Sequence, residues 1–124
     1  MRTILIVDDS PFIAREIKDI VSEHDYEVVG CAKNGEDGIV MAKELKPDII
    51  TMDIIMPGID GIEAAIEILK EIPDQKIVML SSLCDQDTLE EIKGIGLKHL
   101  VAKPIEAAQL LDILEKELSG DDAE

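Results

Sequence analysis

Two hydrophobic patterns alternate along the chain. Short continuous apolar runs end in polar residues. Ile4-Leu5-Ile6-Val7 stops at Asp8-Asp9, Val28-Val29 at Gly30, and Ile49-Ile50-Thr51-Met52 at Asp53. Ile77-Val78-Met79-Leu80 stops at Ser81-Ser82, and Leu100-Val101-Ala102 at Lys103-Pro104. Unbroken β-branched runs of this length predict strands covered on both faces. Between them, apolar residues recur at helical spacing. Ile13, Ile17, Ile20 and Val21 share one face; Ile39, Met41, Ala42 and Leu45 mark a second helix. Ile62, Ala65, Ile66 and Leu69 mark a third, Leu89, Ile92 and Ile95 a fourth, and Leu110, Leu111, Leu114 and Leu118 a fifth.

Helix punctuation agrees with this division. Ser10-Pro11 reads as an N-cap followed by proline at the first helical position, and Asp85 or Asp87 can cap the fourth helix. Stops fall at Pro47, Pro73 and Gly94 or Gly96. Five strands alternating with five helices predict an α/β open parallel sheet, doubly wound. There is no internal repeat and no linker. One domain is expected over 1–118, with 119–124 (Ser119 to Glu124) as an acidic C-terminal tail.

Composition narrows the function. A chain of 124 residues is one domain with a substantial core. Lys+Arg is 12 against Asp+Glu 28, a net charge of −16. Phosphate backbones need a basic face, so nucleic-acid binding is excluded, and anionic membranes are disfavoured. An apolar share of 46 % argues against disorder. No run is long enough for membrane insertion, and the N-terminus lacks a signal-peptide pattern. Cys31 and Cys84 have no metal-like spacing, which fits a reducing, cytoplasmic setting. Self-repulsion at this charge favours a monomer. Cys31 and the methionines Met41, Met52, Met56 and Met79 read as core residues, Cys84 as a loop residue, and His24 and His99 as too isolated for a metal site.

The strand ends carry the chemistry. In an open parallel sheet, ligands bind beyond the carboxyl ends of the strands. This sequence places Asp8 and Asp9, Asp53, Ser81 and Ser82, and Lys103 there. Any one of them alone reads as a cap, a turn or a surface residue. Their convergence on one edge does not. Three adjacent carboxylates repel unless a cation lies between them, and Mg²⁺ is the hard, oxygen-seeking ion that fits. An aspartate can attack phosphorus when metal and lysine neutralise the phosphoryl oxygens and a hydroxyl holds one of them.

These motifs resemble a family. Ile-Leu-Ile-Val-Asp8-Asp9-Ser, Pro47-Asp48-Ile-Ile-Thr-Met-Asp53-Ile-Ile-Met-Pro57-Gly-Ile-Asp60-Gly61, Val-Met-Leu-Ser81-Ser and Lys103-Pro104 stand in the order of a response-regulator receiver domain. The stand-alone chemotaxis (CheY-like) type is the most similar, over Ile4 to about Leu118. The resemblance, not the spacing, implies a flavodoxin-like sheet of order 2-1-3-4-5. It implies that Asp53 is the phosphoacceptor for a histidine kinase, and that Asp8, Asp9, Asp53 and the Ile55 carbonyl bind Mg²⁺. It further implies that Ser81 binds and reports the phosphoryl group, that Lys103 pairs with its charge, and that Lys103–Pro104 is cis. The chain then assists its own phosphorylation without being an enzyme in the ordinary sense.

Some positions depart from the family pattern. Where receivers often carry Tyr or Phe three residues before the lysine, this chain has Leu100, so the usual aromatic switch has no counterpart. Ser81 replaces the commoner Thr, and Ile55 and Leu83 are apolar where hydrolysis is tuned. A switch acting on a flagellar motor and a relay to a histidine phosphotransfer domain both fit. So does a degenerate scaffold, and the Leu-Ser81-Ser82-Leu run is similar to receivers of chemotaxis methylesterases. A flavin site is disfavoured, because Asp8-Asp9-Ser10-Pro11 repels a phosphate. An aspartyl-phosphate phosphatase is disfavoured because Asp53 is followed by Ile54 and Ile55, with no second acid.

Overall fold

The computed structural model describes residues 1–120. The elements are β1 (Arg2–Val7), α1 (Pro11–Ser22), β2 (Tyr26–Ala32), α2 (Gly35–Leu45) and β3 (Ile49–Asp53), then α3 (Gly61–Glu71), β4 (Lys76–Ser81), α4 (Gln86–Gly94), β5 (Leu100–Ala102) and α5 (Ala107–Ser119). The sheet order is β2-β1-β3-β4-β5, with every pair parallel. After β1 the chain moves outward to β2, then returns past β1 to build β3. The order therefore reverses at the β1–β3 boundary, where their carboxyl ends form a crevice.

Each sheet face has its own core. Ile4, Ile6, Ile49, Val78 and Val101 face α1 and α5, packing on Ile17, Val21, Leu110 and Leu114. Leu5, Val7, Ile50, Met52, Ile77 and Met79 face the other way, onto Ala42, Ala64, Ala65, Ile68 and Ile92 of α2, α3 and α4. Burial on both faces is the reason these strands read as unbroken apolar runs.

Four helices begin on side-chain caps. Ser10 accepts from the Ile13 N–H, Asn34 from Asp37, Asp60 from Glu63 and Asp85 from Thr88. Each is worth about 1 kcal/mol over alanine. Of the two residues expected at the fourth helix, Asp85 is the cap. The Lys103–Pro104 peptide bond is cis.

Four expectations need correction. Gly30 does not end the second strand but lies inside β2, where Ile4 pairs with Val28 and Leu5 with Gly30, leaving Val29 as a bulge. A Cβ on Gly30 would meet Met41 Cε at 2.6 Å, so the glycine lets α2 lie close. Cys31 is exposed, because β2 is an edge strand and α1 does not cover its end. Leu45 is 40 % exposed at the end of α2. α5 continues through Ser119, and Gly120 follows with φ 74° as its C-cap. The rest of the expected acidic tail, 121–124, lies outside the described residues. Among the described residues no helix is long and apolar enough to cross a membrane.

Candidate phosphoryl and metal site

The loops leaving β1, β3, β4 and β5 meet above the crevice. Asp8 follows β1 directly, and its N–H donates to the Ala32 carbonyl of β2 at 2.9 Å. Its Oδ1 accepts from the Ser10 N–H at 2.9 Å, in the turn that opens α1. Asp53 is the last residue of β3, and Asp8 and Asp53 each follow directly on the paired Val7 and Met52. Both are buried, at 3 % and 5 % exposure, while Asp9 is exposed. One carboxylate oxygen from each of Asp8, Asp9 and Asp53 falls within 4.8 Å of the others.

Lys103 closes the pocket from β5. Its Nζ donates to Asp8 Oδ2 at 3.0 Å and stands 3.2 Å from Asp53 Oδ1. Its own N–H donates to the Ser81 carbonyl at 3.0 Å, which ties the β5 and β4 ends together. Lys103 thus holds two buried carboxylates with one ammonium.

That imbalance governs the titration. Burial, then the Asp8 charge, push the Asp53 carboxyl up to about 6, although Lys103 acts the other way. Burial opposes the Lys103 charge, but the bond to Asp8 and the charges of Asp8 and Asp53 outweigh it, so its pKa is raised. The all-oxygen donor set and its excess negative charge suit a hard divalent cation.

Ser81 is placed in the pocket wall at 2 % exposure. Its Oγ accepts from the Leu83 N–H at 2.9 Å, so in this state its hydroxyl shapes its own loop. The Ile55 and Leu83 side chains are 59 % and 57 % exposed in the loops after Asp53 and Ser81. Leu100 is half-buried and packs toward the core beneath α2, α3 and α4. His99, beside it, faces α5 instead, and its Nδ1 lies 2.6 Å from Glu117.

One contributor stands in the Pro47–Gly61 motif without a role assigned to it from the sequence. Gly61 begins α3 against the Asp53 backbone, and its N–H donates to the Ile54 carbonyl at 2.7 Å. A Cβ there would overlap the Asp53 carbonyl oxygen. The available signal was a glycine directly after the capping Asp60.

Comparison with known proteins agrees with this geometry. The family model for the response regulator receiver domain matches residues 4–115. The chemotaxis protein CheY of Thermotoga maritima is 41 % identical over 93 % of this chain and 96 % of its own. The response regulator domain of Thermotoga maritima CheB superposes with a TM-score of 0.89 at 37 % identity, covering 96 % of this chain and 97 % of that one. CheY in the CheX-CheY-BeF3-Mg complex of Borrelia burgdorferi gives 0.90 at 27 %, covering 93 % and 87 %. A match over nearly the whole chain, on a fold whose strand ends gather these acids and this lysine, places the protein in the response-regulator receiver family.

Proposed function

We propose that this receiver is a phosphorylation switch in chemotaxis, with Asp53 as its phosphoacceptor. The observation that carries this is the Lys103 ammonium set between Asp8 and Asp53. An Asp53 carboxylate oxygen attacks the phosphorus of a kinase phosphohistidine. The new O–P bond forms as the N–P bond breaks, and the electron pair leaves with the imidazole. Asp8 and Asp9, with Asp53 and the Ile55 carbonyl, would hold Mg²⁺, which would supply positive charge to the phosphoryl oxygens. Lys103 pairs with the transferred group, and Ser81 gives up its bond to Leu83 to donate to a phosphoryl oxygen. That exchange frees the β4–α4 loop, and Leu100 repacks beneath it in place of an aromatic rotamer switch.

The nearly full-length similarity to a chemotaxis CheY supports a monomeric, cytoplasmic switch that receives from a histidine kinase and acts on a protein such as the flagellar motor switch. The similarity to the CheB receiver supports a second reading, the receiver of a methylesterase. The assembled pocket favours chemistry over a scaffold role.

Fluorine NMR with beryllofluoride, a phosphoryl mimic, tests the site. The reading expects bound fluoride signals that require Mg²⁺ and are absent from Asp53→Asn. Signals independent of Asp53, or none in wild type with Mg²⁺, overturn it.

A further inference from the structure

A groove lies on the outer side of α1, where the edge strand β2 leaves it open, with a volume of about 260 Å³. Its floor is small or apolar: Pro11 and Ala14 from α1, Cys31 and Ala32 from β2. Its rim is cationic, formed by Arg15, Lys18 and Lys33. Asp8 closes one end, but its side chain is 1 % exposed and already bonded to Lys103.

Three cations around one groove run against the charge of this chain, which is −16. They are also free. Several other cations pair closely: Arg2 with Glu115 at 2.9 Å, Lys43 with Glu71 at 2.8 Å and Lys116 with Asp112 at 3.1 Å. Arg15 has only Asp19 at 3.9 Å, both largely in solvent. Lys18 and Lys33 make no ion pair among the described residues. The wider groove at the other end of the sheet is different, since Asp48 and Asp74 balance Lys46 and Lys76 there.

The small floor residues allow close approach of a backbone. From Pro11 to Lys18 the α1 wall runs about 10 Å, roughly two helical turns. A helix with apolar residues on one face and Asp or Glu beside them fits both the floor and the rim. We propose that this groove docks an acidic amphipathic helix of a partner protein, seated beside the Asp8 end of the acidic pocket. Its rim charges steer the encounter in a molecule that otherwise repels acidic partners.

The test uses a synthetic helical peptide of about four turns, with leucines at helical spacing flanked by glutamates, titrated into the isotope-labelled protein. Saturable amide shifts are expected at Ala14, Lys18, Cys31 and Lys33, weakening as salt is added. The double variant Lys18→Glu/Lys33→Glu should lose about tenfold in affinity. Lys46→Glu/Lys76→Glu, with the same charge change at the far groove, should bind like wild type. Absent shifts, shifts centred elsewhere, or equal losses in the two double variants overturn the proposal. The titration uses unphosphorylated protein, so its outcome is independent of whether Asp53 accepts a phosphoryl group.

Discussion

Gly61 begins α3 directly against the backbone of Asp53, where the carbonyl oxygen of the strand residue occupies the space a Cβ would need. The acidic pocket is therefore anchored by a glycine that carries no chemistry. The Gly61 N–H bond to the Ile54 carbonyl, 2.7 Å, fixes the loop through which β3 leads to Ile55.

Gly61→Ala is expected to destabilise the protein by about 3 kcal/mol, because backbone rather than a flexible side chain must move. Urea unfolding measures this. A loss within the range of an ordinary surface substitution would contradict the close approach.

The raised pKa of Asp53 makes stability depend on pH. Its folded value, about 6, lies above the 3.8 of an ordinary aspartate, so the folded state takes up the proton first. Asp53 therefore opposes folding above pH 6 and is relieved as pH falls toward 4. Without Mg²⁺, Asp53→Asn should be more stable than wild type at neutral pH by on the order of 2 kcal/mol, with the gap closing through that window. Mg²⁺ should stabilise wild type above pH 6 and lose that effect below it. Paired thermal melts across pH check both, and a gap that does not change with pH counts against the assignment.

Thr51 lies two residues before Asp53 on the same strand, 1 % exposed, and its Oγ1 is the buried side-chain polar atom without a partner among the described residues. A buried hydroxyl left unpaired is costly. Thr51→Val keeps the shape and removes that cost, so unfolding should show a gain of about 1 kcal/mol. A loss of stability would mean that the hydroxyl is engaged.

Ile55 and Leu83 flank the site with exposed apolar side chains. On the proposed function, they hinder the water that hydrolyses the acyl phosphate. Ile55→Asn should shorten the phosphoryl lifetime by about threefold or more, since excluding water suppresses hydrolysis. Decay of the phosphorylated protein after donor removal provides the comparison, and an equal or slower rate in the variant refutes the idea.

Much of the fold was legible because its signals are local. The runs from Ile4 and from Leu100 end where the strands end, and Ser10 and Asp85 cap the helices they precede. The site was legible because parallel strands bring their carboxyl ends to one edge, so Asp8, Asp53 and Lys103 meet although far apart in sequence. What was hidden depends on tertiary neighbours. The exposure of Cys31 follows from β2 being an edge, and Gly30 stays inside its strand because Met41 arrives from α2. The hydrogen bond from Leu83 to Ser81 and the contact of His99 with Glu117 are choices of rotamer and packing that no spacing encodes.

On the proposed function, Asp53 accepts a phosphoryl group with the aid of Mg²⁺. Intact-mass measurement after incubation with acetyl phosphate and Mg²⁺ tests it most directly, beside a sample without the metal and an Asp53→Asn variant. One added phosphoryl group is expected in wild type, lost when Mg²⁺ is withheld and absent from the variant. Uptake by Asp53→Asn equal to wild type, or no uptake by wild type from either acetyl phosphate or a phosphorylated kinase, would contradict it.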